Sequence, residues 1–163
     1  MSTSATSNPS KKILVGMGQI AAARAPEQMR AILGSCIGLA LYHARCKTAV
    51  MAHIVLPESA GRDGTPGKFA DTAVPHMLGL LRERGVPIHG VTAKFAGGAN
   101  MFQGSGPLQI GDANIEAVTA ALNKAGIRVV GQDVGATRGR RIDFDCASGE
   151  MIVEYAGRPA RTL

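Results

Sequence analysis

The chain has 163 residues, of which 45% are hydrophobic and 18% are charged, as in a globular domain with one sizeable core. No run of about 18 apolar residues occurs, which excludes an ordinary transmembrane helix. The net charge of +6 is scattered, and four Phe, two Tyr and no Trp offer no stacking platform for bases. We therefore expect no nucleic acid, and interpret the excess charge as a match to an acidic protein partner.

Composition changes only near the two ends of the chain. Residues 1–10 are polar and rich in Ser and Thr, and we interpret them as a disordered arm that is not a secretory signal. Residues 157–163 are predicted to form a tail. Residues 11–156 contain no internal repeat and no linker, which predicts a single domain.

Short runs of apolar and β-branched residues predict strands along most of this domain. They cover residues 13–17, 30–33, 37–42, 48–52, 91–95, 128–134, 141–144 and 151–155. Residues 19–28, which include Pro26, are predicted to be a loop or an irregular edge. The glycine-rich residues 58–67 are predicted to be a loop.

Two segments, residues 72–84 and residues 114–124, have apolar side chains at helical spacing. The apolar positions are Val74, Met77, Leu78 and Leu81 in the first, and Ile115, Val118 and Leu122 in the second. Asp112 and Asn114 are interpreted as helix caps rather than catalytic groups. Many strands with two main helices predict an α+β fold or a layered α/β sandwich.

Cys36 lies between small residues, and His53 follows 17 positions later along two predicted strands. The turn between these strands is centred near residue 45, so Cys36 is predicted to lie opposite about residue 54 in a hairpin. A thiol and an imidazole on neighbouring strands are the pair that a cysteine nucleophile needs. On pattern alone a second interpretation is open, in which Cys36 is a small buried apolar residue and His53 a hydrogen-bonded core histidine.

The odd number of cysteines argues against a disulfide framework. The sequence has three cysteines and no Cys-x-x-Cys pair, and Cys46 and Cys146 both fall in predicted turns. This pattern fits a reducing cytoplasm and argues against a structural zinc site. We expect no metal and no cofactor.

Two loops are further candidates for contact with a ligand. Residues Gly97, Gly98 and Asn100 follow a predicted strand, and their backbone either approaches a substrate or forms a tight structural turn. Residues 135–140 form either a solvated turn or part of a cleft rim. In the second case Arg138 and Arg140 would meet acidic residues of a partner.

Six sequence blocks in order resemble the CheD family, the chemoreceptor glutamine deamidases of bacterial chemotaxis. The blocks are Leu33-Gly34-Ser35-Cys36-Ile37-Gly38, Met51-Ala52-His53-Ile54-Val55-Leu56-Pro57, Lys68-Phe69-Ala70-Asp71-Thr72-Ala73-Val74-Pro75, Phe95-Ala96-Gly97-Gly98-Ala99-Asn100-Met101-Phe102, Ile110-Gly111-Asp112-Ala113-Asn114 and Asp133-Val134-Gly135-Ala136-Thr137-Arg138-Gly139-Arg140. They extend over roughly residues 13–155. The resemblance favours a layered α/β sandwich of mostly antiparallel strands with two main flanking helices.

By this resemblance, Cys36 matches the family nucleophile and His53 its catalytic histidine. Ser35, Gly97, Gly98 and Asn100 are the candidate substrate-contacting residues. The family threonine before the cysteine has no match.

Arg30 and Ala31 occupy the candidate places of that threonine. A cation at Arg30 is expected to weaken His53 as a base, and turnover is expected to be slow unless another group, such as Ser35 or Ser59, orients the imidazole. Restoring a hydroxyl at either place is expected to raise the rate.

The resemblance implies a cytoplasmic enzyme that converts glutamines on the helices of methyl-accepting chemoreceptors to glutamates through a thioester. It also implies a CheC-type phosphatase as a possible partner. The missing threonine keeps a second hypothesis open, in which the chain is a weakly catalytic or non-catalytic adaptor that binds receptors or such a phosphatase. A papain-like protease or transferase is a third, weaker hypothesis, because no tryptophan-bearing protease signature surrounds Cys36.

Overall fold

The computed structural model describes residues 11–101 and 109–163, and the predicted arm at residues 1–10 lies outside them. Within the described residues the elements are two long helices and two five-stranded sheets. The strands are β1 (Lys12–Leu14), β2 (Ile20–Arg24), β3 (Gln28–Leu33), β4 (Ile37–His43), β5 (Thr48–Ile54), β6 (Val91–Gly97), β7 (Arg128–Val134), β8 (Arg140–Asp145), β9 (Met151–Glu154) and β10 (Arg161–Thr162). The helices are α1 (Ala70–Glu83) and α2 (Ile110–Ala125), and a 3₁₀ turn at Pro66–Lys68 precedes α1.

The two sheets pack face to face. Both helices pack on one of these sheets, on the face that is turned away from the other sheet. The sheet of order β2-β5-β4-β6-β7 is the central layer, and the sheet of order β1-β3-β8-β9-β10 is the outer layer. Among the described strands, only β1 with β3 and β6 with β7 pair in parallel. The predicted layered α/β sandwich of mostly antiparallel strands is therefore confirmed, with the refinement that both helices lie on one side.

β4 and β5 are buried on both faces, since one face meets the helices and the other meets the outer sheet. In β4, Leu39 and Leu41 pack toward the helices, whereas Ala40 and Tyr42 pack toward the outer sheet. The sequence of a strand buried on both faces is a continuous apolar run, without the alternation of apolar and polar residues seen in half-buried strands. The predicted hairpin is therefore the centre of the molecule.

The helices follow the predicted apolar stripes but begin earlier than expected. α1 buries Val74, Met77, Leu78 and Leu81 against the central sheet. α2 ends at Ala125, and Gly126, with a positive φ of 71°, provides the left-handed cap. Neither described helix is long and apolar enough to cross a membrane.

Two segments differ from their sequence-based expectation. Residues 19–28, predicted to be irregular, contain the regular strand β2, which pairs antiparallel with β5. Residues 157–163, predicted as a tail, include β10, which pairs with β9. Alanine-rich β2 and the two-residue β10 have weak local strand signals, and each forms by adding to an edge that a stronger strand provides.

Candidate active site

Cys36 and His53 lie on the same face of the β4–β5 hairpin, at the end nearest the β3–β4 bend. The register pairs Ile37 with Ile54 and Gly38 with His53, one residue away from the predicted sum. Cys36 directly precedes β4 and packs toward the outer sheet. His53, opposite Gly38, faces the same side, because side chains two residues apart share a face. The two residues are therefore diagonal neighbours.

Both side chains are largely withdrawn from solvent, with exposed fractions of 8% for Cys36 and 4% for His53. Gly38, which has no side chain, lets the outer sheet pack closely beside them. A Cβ on Gly38 would lie 2.4 Å from Cδ1 of Ile142 in the outer sheet. A larger residue at position 38 would push the two sheets apart at the site.

The imidazole of His53 is held by a backbone carbonyl. Its Nδ1 lies 2.9 Å from the carbonyl oxygen of Val15. A carbonyl only accepts hydrogen bonds, so Nδ1 carries the proton and Nε2 is left with its lone pair. The neutral ring is therefore fixed in the tautomer that a general base needs.

Backbone hydrogen bonds of the segment between β1 and β2 hold both His53 and Val15 in place. The backbone of His53 donates to the carbonyl of Gln19 at 3.0 Å and accepts from the N–H of Gly18 at 2.8 Å. The N–H of Val15 donates to the carbonyl of Arg30 at 2.8 Å, which fixes the Val15 peptide on β3. Sequence reasoning missed Val15 because a backbone carbonyl has no residue-type signal.

The expectation that Arg30 weakens His53 is wrong. In β3, Met29, Ala31 and Leu33 are buried between the sheets, so Arg30 lies on the opposite, outer face. Its guanidinium donates to both carboxylate oxygens of Asp143, at 2.7 and 3.1 Å. This carboxylate raises the pKa of Arg30 and leaves its charge neutralised away from the imidazole.

Within residues 11–101 and 109–163, no hydrogen bond joins Ser35 or Ser59 to the imidazole of His53. Ser59 bonds Asp71 through its N–H and its hydroxyl. Within the described residues, the orienting contact to the imidazole is that of Val15.

Burial moves the two site pKa values in opposite directions. It raises the pKa of the Cys36 thiol and lowers the pKa of the His53 imidazole, against a smaller raising effect of the Val15 hydrogen bond. Both shifts favour the neutral forms. The resting pair is therefore a thiol and a neutral imidazole, and the charge separation arises when a reactant is attacked.

Backbone contacts from β6 hold the Cys36 bend. The N–H of Gly98 donates to the carbonyl of Cys36 at 2.9 Å, and the N–H of Ala99 donates to that of Gly34 at 3.0 Å. Gly97 has a φ of 115°, and a Cβ there would lie 2.1 Å from the Cys36 carbonyl oxygen. The two glycines therefore allow a close approach that fixes the cysteine, and the N–H groups from Gly98 to Asn100 are all used within the protein. Within residues 11–101 and 109–163, the N–H of Cys36 donates to no other group.

Asn114 ties helix α2 to the same bend. It is fully buried, and its side-chain amide donates to the carbonyls of Ser35 and Val55 at 3.0 and 2.9 Å. Its interpretation as a helix cap is wrong, because α2 already begins at Ile110. Asp112 likewise lies inside the helix, where its carboxylate accepts from the amide of Asn100 at 3.0 Å.

The predicted substrate-contacting residues lie together beside the bend. Ser35 and Asn100 line a small cavity of about 80 Å³, together with Ala99, Met101 and the start of α2. The backbone of Asn100 also donates to the carbonyl of Ala136 at 2.9 Å. Gly97 and Gly98 contact the Cys36 bend itself rather than this cavity.

Two large exposed apolar side chains lie near the same end of the hairpin. Met17 and Met101 are 72% and 49% exposed, and we call them the apolar rim. Leu14 and Ile32 are also exposed, but they lie with Arg30 on the outer face of the outer sheet. Met17 lies two residues after Val15. The side chain of Met101 would contact a Cβ placed on Gly34 at 3.8 Å. Exposed apolar groups that gather at one place indicate a surface for another macromolecule.

Comparison with known proteins identifies the family. The protein-family sequence model described as CheD, chemotactic sensory transduction, matches residues 55–155 of this chain. The chain belongs to the CheD family. It is 35% identical over 147 residues to the chemoreceptor glutamine deamidase CheD of Thermotoga maritima, which covers 90% of this chain and 93% of that protein.

Two further relatives cover the chain to a similar extent. The probable chemoreceptor glutamine deamidase CheD of Symbiobacterium thermophilum is 42% identical over 157 residues, with 91% of this chain and 95% of that protein covered. The probable chemoreceptor glutamine deamidase CheD of Methanococcus maripaludis is 39% identical over 141 residues, with 85% of this chain and 92% of that protein covered. The CheD relationship therefore includes the Cys36–His53 hairpin as well as the matched residues 55–155.

Proposed function

We propose that this CheD protein deamidates glutamine side chains of chemoreceptors, with Cys36 as the nucleophile and His53 as the general base and acid. The observation that carries the proposal is the imidazole fixed by Val15, with its Nδ1 proton engaged, on the same face as the Cys36 thiol. Family membership supplies the substrate class, since the relatives are named chemoreceptor glutamine deamidases.

The reaction begins with the neutral pair. Nε2 of His53 accepts the proton of the Cys36 thiol as sulfur attacks the side-chain amide carbon of glutamine. The resulting oxyanion accepts a hydrogen bond from the N–H of Cys36, a contact commonly worth about 3 kcal/mol. The imidazolium then gives its proton to the amide nitrogen, so that ammonia leaves rather than an amide ion.

A thioester between Cys36 and the former glutamine remains. His53, neutral again, accepts a proton from water while the water oxygen attacks the thioester carbon. The carbon–sulfur bond breaks, the thiolate recovers a proton from the imidazolium, and a glutamate carboxyl is released. Ser35 and Asn100, which line the small cavity beside the bend, are proposed to contact the glutamine side chain.

The apolar rim supports a protein substrate. A chemoreceptor helix that presents its glutamine to Cys36 would cover Met17 and Met101 with its own apolar side chains. A CheC-type phosphatase, the partner implied by the resemblance, would compete for this surface. Because the receptor segments concerned are cytoplasmic, we propose that the protein acts in the cytoplasm.

The test of this proposal is conversion of purified receptor cytoplasmic fragments, read by mass spectrometry as glutamine-to-glutamate changes at defined positions. Wild-type protein is expected to convert a few glutamines, and His53→Ala is expected to convert none while still binding the fragments. If wild-type protein binds the fragments and converts no glutamine, the adaptor hypothesis replaces the enzyme.

The pH profile tests the role of His53. Since burial lowers the His53 pKa, the base stays neutral below its ordinary value of 6.5, and the acid limb of kcat/KM is expected below pH 6.5. The raised pKa of Cys36 places the alkaline decline above pH 9.0, where the thiol proton is lost in the free enzyme.

The control for this profile is His76→Ala, which removes an exposed histidine of α1 and is expected to leave both limbs unchanged. An acid limb centred above pH 7 would contradict a buried neutral imidazole as the base.

A further inference from the structure

A second, charged cavity lies near the site and has no part in the proposed chemistry. It has a volume of about 490 Å³ and lies between the loop that follows β7 and residues 155–161. Asp133, Arg138, Tyr155, Arg158 and Arg161 line it, and we call it the basic cavity.

The one carboxylate in the basic cavity is already neutralised. Asp133 is buried, and its Oδ1 accepts from the guanidinium of Arg140 at 2.7 Å and from the hydroxyl of Tyr155. Its Oδ2 accepts from Arg161 at 3.3 Å. The expectation that Arg140 meets a partner is therefore wrong, because Arg140 is 3% exposed and binds Asp133 and the loop backbone.

Arg138 and Arg158 are left with uncompensated charge. Both are exposed, and within residues 11–101 and 109–163 neither forms an ion pair. Residues 1–10 and 102–108 contain no Asp or Glu that could pair with them. The basic cavity therefore presents the two unpaired guanidinium groups of Arg138 and Arg158. Its carboxylate, Asp133, is already bound by other side chains.

Two hydrogen bonds and one close approach join the loop of this cavity to the Cys36 bend. The N–H of Gly135 donates to the carbonyl of Gly97 at 3.0 Å, and the N–H of Asn100 donates to that of Ala136 at 2.9 Å. A Cβ on Gly139 would lie 3.1 Å from the carbonyl oxygen of Leu33, the residue before Gly34. The basic cavity is therefore adjacent to the bend that holds Cys36.

We propose that the basic cavity binds an acidic side chain of the protein substrate, so that the enzyme prefers glutamines with a Glu or Asp neighbour. The inference rests on the proposed function and names a feature of its substrate. A guanidinium fork matches a carboxylate in two hydrogen bonds, and an occupant tethered to the bound polypeptide gains a high effective concentration.

One consequence concerns the order of reaction. Each deamidation replaces a neutral amide by a carboxylate, which is itself a ligand for the basic cavity. A glutamate formed at one position therefore favours conversion of a nearby glutamine on the same helix face, where residues three or four apart are neighbours.

The test uses two helical peptides of a receptor segment that share the target glutamine and differ at one neighbouring position, Glu in one and Gln in the other. Their affinities for Cys36→Ala are compared by fluorescence anisotropy, and their conversion by wild-type protein is measured in parallel. The Glu peptide is expected to bind more tightly and to have a lower KM at unchanged kcat.

Arginine variants show whether the basic cavity causes this preference. Arg138→Ala and Arg158→Ala are each expected to reduce the preference for the Glu peptide by about fivefold. Arg45→Ala, an exposed arginine at the other end of the hairpin, is expected to preserve it. The preference is also expected to shrink with added salt.

Equal affinity for the two peptides, or a preference that survives in both cavity variants, would overturn the inference. If the Glu preference is present in binding while wild-type protein converts neither peptide, the proposed enzymatic function fails and the binding inference stands. The two failures are therefore distinguishable in one set of measurements.

Discussion

Replacing Cys36 by alanine is expected to abolish glutamine deamidation, with a fall in kcat of more than about 10⁴-fold, because the proposed mechanism forms its thioester at Cys36. The measurement is release of ammonia from receptor fragments under single-turnover conditions. Thermal unfolding of the variant should stay near that of the wild type, since the substitution removes a single sulfur atom from a small side chain.

The other two cysteines are matched controls. Cys46 is exposed in the β4–β5 turn. Cys146 is buried, and its surroundings raise the pKa of its thiol to about 12, which keeps it protonated and unreactive. Cys46→Ala and Cys146→Ala are expected to keep wild-type kcat, with a cost of about 1 kcal/mol in unfolding free energy for the buried one. Equal loss of activity in all three variants would indicate a folding effect and contradict the assignment.

Gly97→Ala is expected to reduce kcat by about a hundredfold, because a displacement of about 1 Å at a reacting group is enough for such a loss. The new Cβ would lie 2.1 Å from the carbonyl oxygen of Cys36, so the bend that holds Cys36 must move. Kinetics on receptor fragments, together with denaturant unfolding, separate this displacement from a loss of fold.

Gly126→Ala is the control for backbone strain alone. Gly126 also has a positive φ, of 71°, but a Cβ there would contact nothing within 4 Å. Both variants are expected to lose about 1–3 kcal/mol of unfolding free energy from strain, whereas only Gly97→Ala should lose kcat. Wild-type kcat in a folded Gly97→Ala protein would show that this contact does not position Cys36.

The hairpin could be predicted from sequence because its signals are local. Two apolar runs and a short polar turn fix the pairing of β4 with β5, and the error of one residue reflects the uncertain centre of the turn. The alternation of residues in β3 also indicates the face on which Arg30 lies. Met29, Ala31 and Leu33 are the apolar positions, so Arg30 belongs to the opposite face. The place of the family threonine alone suggested a position beside His53, and it carries no information on the face of β3 to which the side chain belongs.

The support of the site could not be predicted in the same way. Val15 acts through its carbonyl, and every residue type has a carbonyl, so only the three-dimensional path of the chain reveals the contact with His53. Asn114 has an amide at a position close to a helix start, where capping is the usual role. Its real partners, Ser35 and Val55, are distant in sequence.

Acid quenching during turnover, followed by peptide mapping, tests the central claim most directly. If Cys36 attacks the glutamine amide carbon, a receptor peptide joined through a thioester will be found on the fragment that contains Cys36, and hydroxylamine will remove it. The adduct should be missing in His53→Ala. Conversion of glutamine by wild-type protein with no adduct on Cys36, or with an adduct on another residue, would contradict the account.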